Sequence, residues 1–104
     1  METPVSAQTE STEEILSHTL YHLYTEYRPN LPEIVSRHFD GFTLLQGAGY
    51  WLGNSEASAI LEILVPTSDT WNGLILALAR DIKDTNNQQS VYVTQTPVAF
   101  TEVS

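Results

Sequence analysis

The sequence predicts an α+β sandwich: a four-stranded antiparallel sheet with helices on one face. Three observations predict it. Apolar residues alternate with a period of two over Phe42 to Leu52 and dominate Ala57 to Val65, and the turn cluster Gly53-Asn54-Ser55-Glu56 joins these runs into a long hairpin. Trp71, Leu74, Ile75, Leu78 and Ile82 then recur at helical spacing. Helical spacing also precedes the hairpin, and a short alternating run, Ser90 to Thr94, closes the pattern.

The length of 104 residues fits one domain, placed at 11–98, with 1–10 a flexible tail or short edge strand and 99–104 a C-terminal tail or edge strand. A hydrophobic fraction of 41% and an aromatic fraction of 10% fit a globular chain rather than a disordered one. Thirteen acidic residues against four basic ones give a net charge of −9. Such a chain repels phosphate backbones and anionic lipids, so neither nucleic acid nor a membrane is an expected partner. The lack of cysteine excludes disulfides, thiolate catalysis and cysteine zinc sites. No apolar run approaches the ~20 residues a membrane span needs. Met1 to Glu10 is polar and acidic, unlike a signal peptide, so cytoplasmic residence is the expectation.

Taken in order, Val5 to Gln8 alternates weakly, which leaves tail and edge strand both open. Ser11-Thr12-Glu13-Glu14 has the form of a capping box. Leu16, Leu20, Leu23 and Tyr27 follow at helical spacing, which predicts a helix that ends at Arg28-Pro29. Asn30-Leu31-Pro32-Glu33 restarts a helix with proline in its first turn and Ile34, Val35 and Phe39 turned inward; one helix with a proline kink is the alternative. Asp40-Gly41 ends it. In the next run, Phe42, Leu44, Gln46, Ala48, Tyr50 and Leu52 form a row expected to face the helices. Thr43, Leu45, Gly47, Gly49 and Trp51 form the opposite row, where the glycines signal a bulge, a bend or a close approach. In the second run Ala59, Leu61, Ile63 and Val65 share one face, and Ser58, Ile60 and Glu62 the other. Both faces are partly apolar, as in a central strand or one that meets another subunit. Pro66-Thr67-Ser68-Asp69 stops this strand and caps a helix in which Asp81, Lys83 and Asp84 are expected to face water. That helix ends near Thr85-Asn86-Asn87. Val91 and Val93 share a face of the last strand, which Pro97 confines to an edge or a strand end. The order is βαββαβ with a weak or missing first strand, the pattern of a ferredoxin-like sandwich.

Several residues carry candidate chemistry. His18 and His22 would share a face of the first helix, as a metal pair or as a plain polar face; no HExxH context supports the metal, and none is expected. Arg37-His38 is either an anion clamp beside a ligand or a pair of cations at a helix C-terminus. Gly47, Gly49, Tyr50 and Trp51 form a platform for a stacked base or a surface for subunit packing; both hold if a ligand sits at a subunit interface. Glu56 and Glu62 are a carboxylate pair, or else a turn residue and a partner for Arg80 or Lys83. No helix follows Gly47-Ala48-Gly49, so this is not a phosphate loop, and no nucleophile motif is present.

Phe39-Asp40-Gly41-Phe42-Thr43, Gly47-Ala48-Gly49-Tyr50-Trp51-Leu52-Gly53, Ser55-Glu56-Ala57-Ser58-Ala59-Ile60-Leu61-Glu62-Ile63 and Asn86 to Val93 together resemble the PII-like and CutA-like ferredoxin-fold proteins. The resemblance implies homotrimers with sheets packed around a threefold axis. It also implies small-molecule or nucleotide binding in clefts between subunits, moulded by the loop between the two central strands. Here that loop, Gly53 to Glu56, is short and lacks the basic residues that grip ATP phosphates, and the absence of cysteine leaves no CutA-like metal assignment. The expected function is non-catalytic binding, sensing or sequestering of a nucleotide-type ligand without a cofactor. The expected ligand-binding residues are Arg37, His38, Gly47, Gly49, Tyr50, Trp51 and Glu56. A protein–protein assembly module without a ligand is the alternative, and an enzyme comes third.

Overall fold

A computed structural model of the protein describes residues 15–104. The Val5 to Gln8 segment and the Ser11 to Glu14 capping box lie outside them. The described elements are β1 (His18–Glu26), α1 (Leu31–Ser36), β2 (Thr43–Trp51), β3 (Asn54–Pro66), α2 (Asp69–Thr85) and β4 (Tyr92–Val98). The strands form one antiparallel sheet in the order β2-β3-β1-β4. The fold is therefore α+β and ferredoxin-like, with both helices against one face of the sheet.

The helix expected before Pro29 is not found in its described part, where β1 stands instead. Thr19, Tyr21, Leu23 and Thr25 are buried, while His18, Leu20, His22, Tyr24 and Glu26 turn to the other face. This period-two pattern overrides the helical spacing of Leu16, Leu20, Leu23 and Tyr27, which splits Leu20 and Leu23 between opposite faces. Threonine and tyrosine suit a pleated surface, and β1 gains ladder bonds from β3 on one side and β4 on the other. Strand β1, standing where a helix was expected, is one of the two central strands. The other is β3, as its two apolar faces predict.

The core lies between the sheet and the helices. Leu23, Leu61, Leu31, Val35, Ile75, Leu78 and Ile82 are fully inaccessible, with Tyr21, Ile34, Ile63 and Val65 beside them. Each such side chain contributes roughly 1.5–3 kcal/mol through removal from water. Helices α1 and α2 are separate from β1, so the proline-kinked single helix does not form. The Ser68 side chain caps α2 by accepting the Trp71 N–H at 3.1 Å. At the other end Asn87 takes a positive φ of 53°, and the Gln88 N–H reaches back to the Lys83 carbonyl at 2.9 Å. This left-handed stop turns the chain toward β4.

The row expected to face the helices along β2 does so only at its start. Phe42 and Leu44 pack on the core, but Tyr50 is 73% exposed and Leu52 84%. The cause is length: on β3 the helices bury nothing before Ala59, and the hairpin runs on past them. Among the described residues no helix is long and apolar enough to cross a membrane.

Candidate functional site

The outer end of the hairpin is set by a two-residue turn. Trp51 pairs with Asn54, leaving Leu52 and Gly53 as the connection with φ of 51° and 81°. Positive φ at both central positions matches the right-handed twist of the flanking strands. Glycine adopts it freely, whereas leucine does so at a cost.

Behind this turn lies a cleft of about 400 Å³. Its walls come from four places in the sequence: Tyr24 to Glu26 at the end of β1, Gly49 to Trp51 of β2, Glu56 to Ser58 of β3, and Gln88 to Ser90 with Tyr92 at the entry to β4. The volume falls within the range of ordinary small-molecule sites. Four aromatic rings (Tyr24, Tyr50, Trp51, Tyr92) and two carboxylates (Glu26, Glu56) line it, and no lysine or arginine does. Arg28 sits nearby but is bound to Glu26.

The floor is fixed by Gln88, which is 93% buried by its exposure of 7%. Its Nε2 donates to Thr25 Oγ1 at 2.6 Å, and its Oε1 accepts the Glu26 N–H at 3.2 Å. The left-handed turn at Asn87 points this side chain inward. Gly49 matters for space: a Cβ there would stand 3.2 Å from the Ser58 Cβ and 3.4 Å from its Oγ. At Gly47 a Cβ would meet nothing within 4 Å.

The sequence-predicted residues separate into two groups. Gly49, Tyr50, Trp51 and Glu56 line the cleft; Gly47, two residues before Gly49 on β2, does not. Arg37 and His38 are elsewhere, on the helix layer, where both hold Asp81. His38 Nε2 lies 2.8 Å from Asp81 Oδ2, Arg37 lies 3.5 Å from the same oxygen, and Thr85 Oγ1 donates to Oδ1 at 3.0 Å. Asp81 therefore does not simply face water: it ties the end of α1 to the C-terminal part of α2. The His38 hydrogen bond, helped by Thr85 and the Arg37 charge, holds the Asp81 carboxyl below its ordinary range, although partial burial acts to raise it. Burial alone pushes the Tyr21 phenol up.

Glu62 pairs with neither Arg80 nor Lys83. It lies on the helix-free face of the sheet, 2.9 Å from His22 across the β1–β3 ladder. Because β1 is a strand, His18 and His22 stand about 13 Å apart along it and share no metal. Among the described residues no group of three metal-ligating side chains occurs. Tyr24, Glu26, Gln88 and Tyr92 line the cleft but are not among the expected ligand-binding residues. A signal existed: read as a strand, His18 to Glu26 places Tyr24 on a row that the register sets opposite Tyr92.

No family model and no curated relative matches the sequence. Solved structures do share its fold. A phage SAM lyase in complex with S-methyl-5′-thioadenosine is similar at a TM-score of 0.64 and 15% identity, over 78% of this chain and 81% of that one. A phage SAM lyase in the apo state gives 0.59 and 12%, over 84% and 87%. A DUF3240 family protein from Shewanella baltica gives 0.56 and 15%, over 85% and 97%. At these identities the likeness is one of fold: a small α+β domain with a four-stranded antiparallel sheet. The expectation that the protein is not an enzyme is corrected by this finding, because the architecture behind that expectation is also that of a lyase.

Proposed function

We propose that the protein binds a nucleoside-type small molecule in the cleft behind the hairpin turn, and that an adenosine bearing a thioether or sulfonium is the class that fits best. One observation carries this reading: four rings and two carboxylates line the cleft without a single cation. The rings offer stacking surfaces for a base. The carboxylates accept from ribose hydroxyls and favour a positively charged sulfur, to which the ring faces also contribute. A triphosphate would meet Glu26 and Glu56, and the one cation nearby, Arg28, is already paired with Glu26. The S-methyl-5′-thioadenosine held by the similar phage lyase supports the same ligand class. The binding residues in this reading are Tyr24, Gly49, Tyr50, Trp51, Glu56 and Tyr92.

Self-association belongs to the same reading. Trp51 is 68% exposed and Tyr92 69%, so one chain covers only part of each ring. The helix-free face of the sheet also carries Leu20, Leu45, Ile60 and Leu64, and a homotrimer would cover both. An assembly role without a ligand is the second reading, and that apolar face favours it.

Calorimetric titration with SAM, S-methyl-5′-thioadenosine, adenosine and ATP tests the ligand class. The sulfur nucleosides are expected to bind and ATP to bind far more weakly; preference for ATP would overturn the reading. Chromatography of the SAM mixture shows whether binding is followed by cleavage. Light scattering on the same samples gives the subunit count. An oligomer that binds none of the four would move the balance to the assembly role.

A further inference from the structure

We propose that the groove between α2 and the outer edge of β4 takes an extended acidic segment of a partner polypeptide as a fifth strand. This groove, about 150 Å³, is separate from the cleft and is lined by Leu76, Ala79, Arg80, Lys83, Val91 and Val93. Three observations carry the proposal.

The first is the open edge. Strand β4 pairs with β1 alone, so its outward N–H and C=O groups have no strand partner among the described residues. Edge strands are ordinarily blunted by lysine, proline or inward charge. Tyr92 to Thr96 contains none of these, and Pro97 guards only the far end. The second is the overhang. Leu76, Ala79, Arg80 and Lys83 form one stripe of α2 that overlooks this edge, with Val91 and Val93 turned toward it from the sheet. An added strand would direct every second side chain under that stripe, as in β-augmentation.

The third is charge. The chain carries only four basic residues, and two of them rim this groove. Among the described residues Arg80 meets no carboxylate within salt-bridge distance, and Lys83 reaches only Asp84, at 3.6 Å on the surface. The net charge of −9 repels an acidic segment at long range. At physiological salt, however, that repulsion is screened beyond about 8 Å, so the local cations decide the contact. Spacing completes the pattern. From Leu76 to Arg80 the helix rises about 6 Å, close to the roughly 6.7 Å between alternate residues of a strand. The segment should therefore place an apolar residue, then acidic ones, at successive inward positions.

The test uses a synthetic peptide, Thr-Val-Thr-Glu-Thr-Glu-Thr, titrated up to about 1 mM into isotopically labelled protein and followed by NMR. Saturable shifts confined to β4 and the α2 stripe are expected. They should weaken with added salt and fall about tenfold or more in the double variant R80E/K83E, whose sites are exposed and leave the core intact. A peptide with lysine in place of glutamate should not bind. Absence of saturable shifts, shifts mapping elsewhere, or equal binding of the lysine peptide would each overturn the proposal. So would outward β4 amides already protected from exchange in the free protein and released on dilution, because a second copy would then hold the edge.

Discussion

The two halves of the β2–β3 hairpin share one register and one pair of strands, yet they do different work. In the inner half, Leu44 faces Leu61 under the helices, and Leu61 is wholly inaccessible. In the outer half, Tyr50 faces Ser55 and Trp51 faces Asn54 with no helix above them. The ladder continues unbroken, so the difference comes from what lies over it. Burial makes the inner half a source of stability; the paired but uncovered outer half holds aromatic rings at the mouth of a cleft.

Substitutions break this contrast in graded fashion. Leu61→Ala opens a cavity in the inner half and is expected to cost about 2–5 kcal/mol in urea unfolding, while the folded fraction keeps its ligand affinity. Trp51→Ala should do the reverse: unfolding free energy within about 0.5 kcal/mol of the parent, with affinity for the sulfur nucleoside down about tenfold or more by calorimetry. A large loss of stability there would erase the distinction between the halves.

Asp81→Asn tests the strut between the helices, which braces the covered half only. Because the folded carboxyl is held below its ordinary value, its contribution is present above the ordinary carboxylate range and is lost as pH falls through the lowered value. The gap between parent and variant should be about 1 kcal/mol at neutral pH and close on acidification, read from thermal unfolding across pH. The smallest effect belongs to the turn. Leu52→Asn relieves a left-handed leucine and should stabilise by about 0.5–1 kcal/mol without touching the cleft.

The hairpin and α2 were legible because their periodicity and turn residues agree. Strand β1 was not, because His18 to Glu26 fits a helical stripe and a strand alternation at once, and only its neighbours β3 and β4 decide between them. That ambiguity also hid half of the cleft. Gly49, Tyr50, Trp51 and Glu56 stand on a strand pair visible in the sequence, whereas Tyr24 and Glu26 depend on β1 and Tyr92 on its pairing with it. Arg37 and His38 could be placed at the end of α1, but nothing local showed that Asp81, far along the chain, would take them both.

The placement of β1 beside β4 has a consequence for the order of events during synthesis. His18 lies opposite Val98, so a strand made early must wait for one made late. Until Tyr92 to Val98 has left the ribosome, β1 lacks one neighbour and the cleft lacks a wall. Contacts so distant in sequence slow folding, and they make the cleft one of the last parts of the molecule to exist.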